Sequence, residues 1–265
     1  MKKRKILIIL TASIISAASN NMVIEAAGNL TAVQTEALMM IESKKEAAAY
    51  IRACLLQRER MIKFTSSKVA MTKSEFKELV LEAARKPIKG NSASGDYLRH
   101  LFDIRIYNAT ENNGKYEYWM QVSYRETAEQ TDKVDKKIRT AVKKSKGMNN
   151  YKKLRYLSKW IVNHTDYDYS VFDDGETAFK ALRVRGAKCL GYSMLAQKLF
   201  TEAGLKSRIV IGKVRSGGRH AWNAIKLGKW YYIDTTWMDC GASGRINYEY
   251  FLFGNKKCRK ERIIE

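Results

Sequence analysis

The chain has 265 residues, 45% of them apolar and 29% charged, a balance that excludes collagen-like, mucin-like and wholly disordered proteins. Its single proline, Pro87, excludes a proline-rich spacer. Lysine and arginine number 49 against 27 acidic residues, a net charge of +22, so the partners to expect are polyanions: nucleic acid, anionic lipid or an anionic cell-wall polymer.

The N-terminus narrows that choice. Met1-Lys2-Lys3-Arg4-Lys5 is a basic leader, residues 6–15 are mainly Ile and Leu, and Ser16-Ala17-Ala18-Ser19 follows. This is the plan of a secretory signal peptide. It is assigned to residues 1–26, with cleavage near Ser19 or near Ala26. The apolar run is short of the roughly 20 residues of a membrane span, and an uncleaved anchor is the alternative. An exported protein this basic meets an anionic envelope, so the charge reads as retention at a cell surface, with no nucleic-acid partner.

Residues 34–60 read as a helix, with Ala37, Leu38, Ile41, Ala48, Ile51 and Leu55 at helical spacing. A short strand is expected around Met61, Ile62 and Phe64. Thr72 with Glu75 three residues on is a capping-box pattern, opening a helix through Phe76, Leu79, Val80 and Ala83 that ends near Pro87 and Gly90. Residues 91–95 read as a loop. Residues 101–107 and 115–124 flank Asn112-Asn113-Gly114 and predict a β-hairpin. Residues 127–144 return to helical period, and Gly147 suits a boundary. Residues 27–147 are thus a small α+β region of unknown role.

Residues 148–265 are read as a second domain. Helices are expected over 151–163, 177–182 and 189–203, the last ending at Gly204. Three β-like segments follow, 208–211, 221–227 and 230–234, joined by Gly217-Gly218 and by Gly228. The order is helices first, then an antiparallel sheet.

Chemistry gathers in this second half. Cys189 begins a helix, where about half a positive charge favours a thiolate, and Lys188, Arg185 and Arg183 add to that potential. His220 starts a strand and is placed to serve as general base. Asp234 ends the next strand, one hairpin away, and can accept a hydrogen bond from the imidazole. Strands lie about 5 Å apart, so the pair can touch. Each residue taken alone also fits a bland role: a buried cysteine, an exposed histidine, a turn or cap aspartate. The four cysteines, Cys54, Cys189, Cys240 and Cys258, form no CxxC pair, and only His100, His164 and His220 are available. A structural zinc site is therefore not expected. Cys54 reads as core, and Cys240 and Cys258 as either a disulfide or two free thiols.

Gly186-Ala187-Lys188-Cys189-Leu190-Gly191-Tyr192-Ser193, His220-Ala221-Trp222-Asn223 and Asp234-Thr235-Thr236-Trp237 resemble the transglutaminase-like superfamily in its bacterial secreted branch. The resemblance covers about residues 151–253, and Tyr167-Asp168 is similar to the segment before the nucleophile helix. Ala187-Lys188 departs from the glycine and apolar residue expected there. The resemblance implies an α+β, papain-like core, with a nucleophile helix packed on an antiparallel sheet. It also implies a Cys189–His220–Asp234 triad with no metal and no cofactor. Tyr167, Tyr169, Tyr192 and Trp222 are the substrate or oxyanion candidates. Eukaryotic transglutaminases carry an oxyanion tryptophan upstream of the cysteine; Trp160 lies upstream here, but its helical pattern places it in the core. The expected activity is cysteine-dependent acyl transfer on envelope peptides or proteins, by hydrolysis or crosslinking. The alternative is a non-catalytic basic module that binds the envelope.

Overall fold

The computed structural model describes residues 38–169, 176–183 and 186–265, apart from the side chains of Arg183 and Ala242. The expected signal peptide, the start of the first expected helix and Arg185 lie outside the described residues. From Leu38 to Glu265 the chain forms one compact α+β unit.

The first expected helix is shorter than its apolar pattern. Met39–Met40 (β1) lies parallel to Met61–Ser66 (β2), and the helix Lys44–Gln57 (α1) begins only after Ser43. The Ser43 side chain caps the Glu46 N–H at 3.2 Å, so a local hydrogen bond overrides the period. Thr72 and Glu75 form the reciprocal box at 3.2 and 2.7 Å, opening Lys73–Arg85 (α2). The single turn Asp96–Arg99 (α3) follows, too short to leave a periodic signal. Phe102–Asn112 (β3) and Lys115–Tyr124 (β4) make the expected hairpin. Asn113 and Gly114 sit at φ 51° and 74°, the positive values a two-residue turn of this hand requires. The sheet order is β1-β2-β4-β3, and Ile51, Leu55, Phe64, Phe76, Val80, Tyr118 and Met120 fill its core.

The second core begins with Ala128–Lys144 (α4), whose Val134, Ile138 and Ala141 pack with later elements. Asn150–Val162 (α5), Asp166–Tyr167 (β5), Ala178–Arg183 (α6) and Gly186–Ala187 (β6) lead to Cys189–Glu202 (α7). Every residue of α7 from Leu190 to Phe200 is buried. A helix surrounded on all sides is central to its domain. Ser207–Val214 (β7), Arg219–Leu227 (β8) and Lys229–Ile233 (β9) form an antiparallel sheet beside it. Thr235–Met238 (α8), Asn255–Glu261 (α9) and Arg262–Ile264 (β10) complete the chain, and β10 joins the sheet in the order β10-β7-β8-β9.

Polar contacts tie these elements together. The Glu126 carboxylate accepts from the Tyr97 hydroxyl at 2.6 Å, the Thr131 hydroxyl at 2.7 Å and the Phe179 N–H at 3.1 Å. Asp96 accepts from Arg208 at 3.2 Å and from the Ile209 N–H at 3.1 Å, tying α3 to β7. Fully buried Lys198 of α7 pairs with Asp135 of α4 at 2.8 Å.

Candidate active site

Cys189 is the first residue of α7 and is partly exposed. Lys188, in extended conformation before it, makes no side-chain cap to the first N–H groups of α7. The Asn223 side-chain amide of β8 donates to the Ser193 carbonyl, one turn beyond Cys189, at 3.0 Å. That bond fixes the helix carrying the sulfur against the strand carrying His220.

His220 is 7% exposed and Asp234 is fully buried. The ring Nε2 lies 2.7 Å from Asp234 Oδ2. The Cys189 thiol lies near enough to the same ring to help raise its proton affinity. With Nε2 committed to the carboxylate, Nδ1 is the nitrogen left for the sulfur. Asp234 is also the cap that its position suggested: Oδ1 accepts the Trp237 N–H at 3.1 Å, which leaves Oδ2 for the ring. The aspartate backbone N–H donates to the Tyr250 carbonyl at 3.0 Å, so main chain and both oxygens are held.

Burial alone would disfavour a charged imidazole. The Asp234 hydrogen bond and the charges of Asp234 and Cys189 outweigh it and push His220 up to about 9. The opposite holds at His100, where burial and nearby Arg99 push the ring down to about 4. With only three histidines to assign, imidazole NMR should show one ring titrating near pH 9 and another near 4. Because the folded value of His220 is raised, its contribution to stability is complete below about pH 6.5 and is lost as pH rises through about 9. A His220 midpoint at 6.5 or below would contradict this arrangement of groups.

The other candidates separate. Tyr167 pairs with Ala187 in the short β5–β6 ladder, two residues before Cys189. Burial and the nearby sulfur push its phenol above the usual range. Tyr169 is 86% exposed and leans on Tyr167, ring centroids 4.9 Å apart. Tyr192 is a correction: it is buried, and its hydroxyl is taken up by Asp239 and the Thr165 carbonyl, so no donor remains for an oxyanion. Trp222 is another, since it is fully buried against Phe253 and Cys258 and walls no substrate surface. Alternation along β8 sends it away from Ala221 and Ile225, which join the α7 core. Trp160 is partly buried on the core and stacks on His164, centroids 4.0 Å apart. Cys240 is exposed and Cys258 buried, both as free thiols, so the disulfide alternative falls.

Three residues that sequence reasoning gave no role complete the site. Asn223 and Trp237 lay inside motifs already noted, and their contacts were not visible there. Trp237 stacks on His220, centroids 5.0 Å apart. Arg262, whose Nη2 donates to Asp234 Oδ2 at 2.8 Å, lies outside the motifs noted above.

Residues 138–235 match the family model of the transglutaminase-like superfamily, generally a superfamily of cysteine-dependent enzymes. Among solved structures, the chain is similar to a crystal structure described as a TGase at 18% identity, covering 76% of this chain and 59% of that one, TM-score 0.38. It is also similar to a putative cysteine protease from Cytophaga hutchinsonii at 16% identity, covering 51% and 66%, TM-score 0.34. A third is the periplasmic domain of TgpA from Pseudomonas aeruginosa bound to ethylmercury, at 15% identity, covering 48% and 56%, TM-score 0.31. The chain thus spans about three-fifths of the length of the first of these structures. No match is found among curated protein sequences.

Proposed function

From the transglutaminase-like domain that residues 138–235 form, we propose that this protein is a cysteine-dependent acyl-transfer enzyme acting on peptides or proteins of the cell envelope. The observation that supports it is the His220 ring held by Asp234 Oδ2 at 2.7 Å, with the Cys189 sulfur close enough to help raise the ring's proton affinity. Cys189 Sγ attacks a carboxamide or peptide carbonyl. His220 Nδ1 takes the thiol proton and returns it to the departing amine. Asp234 holds the ring and stabilises its charged form. The oxyanion meets the Cys189 N–H at the start of α7, with Tyr167 as the side-chain donor beside it. The thioester then passes to water, giving an acid, or to a primary amine, giving a crosslink, and the thiol is regenerated in either case. Water is the default acceptor, and we place hydrolysis first. Amine or ammonia release from envelope peptides, followed with and without an added primary amine, tests the reading. Release with no incorporation is the expected result, and no release from any peptide overturns it.

The basic surface supports retention at an anionic envelope polymer after export. Lys136, Lys137 and Lys144 of α4 are exposed and line a cavity of about 550 Å³ walled by Trp160 and His164. A second cleft beside it is lined by Arg139, Lys143, Lys146 and Lys153. A surface cation near an anionic layer is worth on the order of 1 kcal/mol. Changing Lys136, Lys137 and Lys144 together to Gln should therefore weaken binding to immobilised poly(glycerol phosphate) by about tenfold or more, and raised salt should mimic the change. Undiminished, salt-insensitive binding would remove this surface from the reading.

A further inference from the structure

Arg262 follows the charged run Arg259-Lys260-Glu261. Its side chain is nonetheless fully buried. A guanidinium out of water must be compensated, and here the compensation converges on Asp234. Arg262 Nη2 donates to Asp234 Oδ2 at 2.8 Å, the oxygen that also faces His220 Nε2 at 2.7 Å. Nη1 donates to Glu261 at 2.7 Å. The guanidinium carbon lies 3.9 Å from the Trp237 ring centroid, with Phe253, Trp222 and Tyr250 between 4.9 and 5.4 Å. Trp237 thus touches both the His220 ring and the guanidinium.

A second observation shows how the arginine arrives. β10 pairs antiparallel with β7, Arg262 opposite Val214 and Ile264 opposite Gly212. A Cβ at Gly212 would lie 2.1 Å from the Ile263 carbonyl oxygen and 2.8 Å from the Trp222 ring. Only glycine at 212 allows β10 to close over Trp222, and β10 is what carries the guanidinium to the aspartate.

We propose that Arg262 is a positioning residue of the Cys189–His220–Asp234 site, brought in by the docking of β10, which holds the Asp234 carboxylate with its Oδ2 aimed at the His220 ring. The inference rests on the catalytic reading above. Its electrostatic consequence has a definite sign. A cation on Oδ2 draws on the same negative charge that stabilises the imidazolium, so Arg262 holds the proton affinity of His220 below what Asp234 alone would give. The groups around the ring are the Cys189 thiol from α7, Asp234 ahead of α8 and, through Asp234, Arg262 from β10. Glu261 and Cys258 from α9 lie behind these. Lys213 and Arg219, on the paired strands beside it, are exposed and face Glu265 at 3.9 and 3.5 Å.

The test uses the full chain and two readouts: the NMR titration midpoint of His220 and the rate of Cys189 alkylation by iodoacetamide. Arg262→Met should raise the midpoint by about one unit, the usual effect of removing a nearby like charge from the imidazolium, and should speed alkylation at neutral pH, because a more basic ring holds more of the sulfur as thiolate. Arg262→Lys retains the charge and should keep the midpoint within a few tenths of wild type. Gly212→Val leaves Arg262 in the chain but displaces β10, and should reproduce the Arg262→Met midpoint. If Arg262→Met does not fold, Arg262→Lys and Gly212→Val decide by the same criteria. Unchanged midpoints, or equal changes of rate in Met and Lys variants without any shift, overturn the proposal and leave Arg262 as packing. The His220→Ala variant separates the two levels: wild-type alkylation that does not depend on His220 removes the catalytic reading itself. Dependence on His220 with no Arg262 effect removes only this inference.

Discussion

Replacing Cys189 with alanine should reduce amide turnover by about 10⁴-fold or more while leaving the fold intact, the scale at which the loss of a nucleophile acts in a triad enzyme. The fold should survive because the sulfur is at the first position of α7 and partly exposed, whereas burial of the helix runs from Leu190 to Phe200. No other thiol can substitute. Burial and the nearby Glu59 push Cys54 up to about 12, and burial raises Cys258 as well. Cys240 is exposed but lies in the segment after α8, and the described structure gives it no histidine partner. An activity assay on the variant, with unfolding followed by circular dichroism, checks both halves. Turnover within tenfold of wild type would sink the mechanism.

The second large effect belongs to Asp234→Asn, which should lose about 10³- to 10⁴-fold in turnover and also destabilise the fold. The carboxylate does three jobs at once: Oδ1 caps α8, and Oδ2 receives both the His220 ring and the Arg262 guanidinium. An amide can keep its oxygen on the Trp237 N–H. It then turns an NH₂ group towards two donors, which reverses the imidazole tautomer and takes from the buried Arg262 its fully buried acidic partner, leaving it Glu261. Breaking a buried ion pair from one side costs about 3–5 kcal/mol. For a unit of this size that is a fall in Tm of roughly 10 °C. Differential scanning calorimetry alongside the turnover assay reads both. A variant with wild-type Tm would mean that Glu261 alone suffices to hold Arg262, and one with wild-type turnover that Asp234 does not orient the ring.

The two effects also show how far the sequence could be read. The sulfur and imidazole positions were legible because each carries a local mark: a cysteine opening an amphipathic run, and a histidine opening a strand after two glycines. Asp234 was legible only as one of two things, a cap or a partner for His220, and it is both, since its two oxygens point to different neighbours. Tyr192 and Trp222 were misread because adjacency in a motif says nothing about facing. One turn of α7 carries Tyr192 into the core towards Asp239, and strand alternation sends Trp222 to the side of Phe253. β1 and α3 were missed because two to four residues leave no period to detect, and Arg262 because charge in sequence carries no information on burial.

The sequence by itself determined the local events: the Thr72–Glu75 box, the Asn113-Gly114 turn, the helix that begins at Cys189 and the α+β order of elements. These depend on contacts within a few residues, so composition and spacing suffice to specify them. Only the tertiary structure decided which side chains meet. The Asn223 bond to α7, the strand β10 admitted by Gly212 and the guanidinium beneath Asp234 join residues 28 or more apart in the chain. Their energies come from burial and shared charge, which exist only once the sheet and α7 have packed.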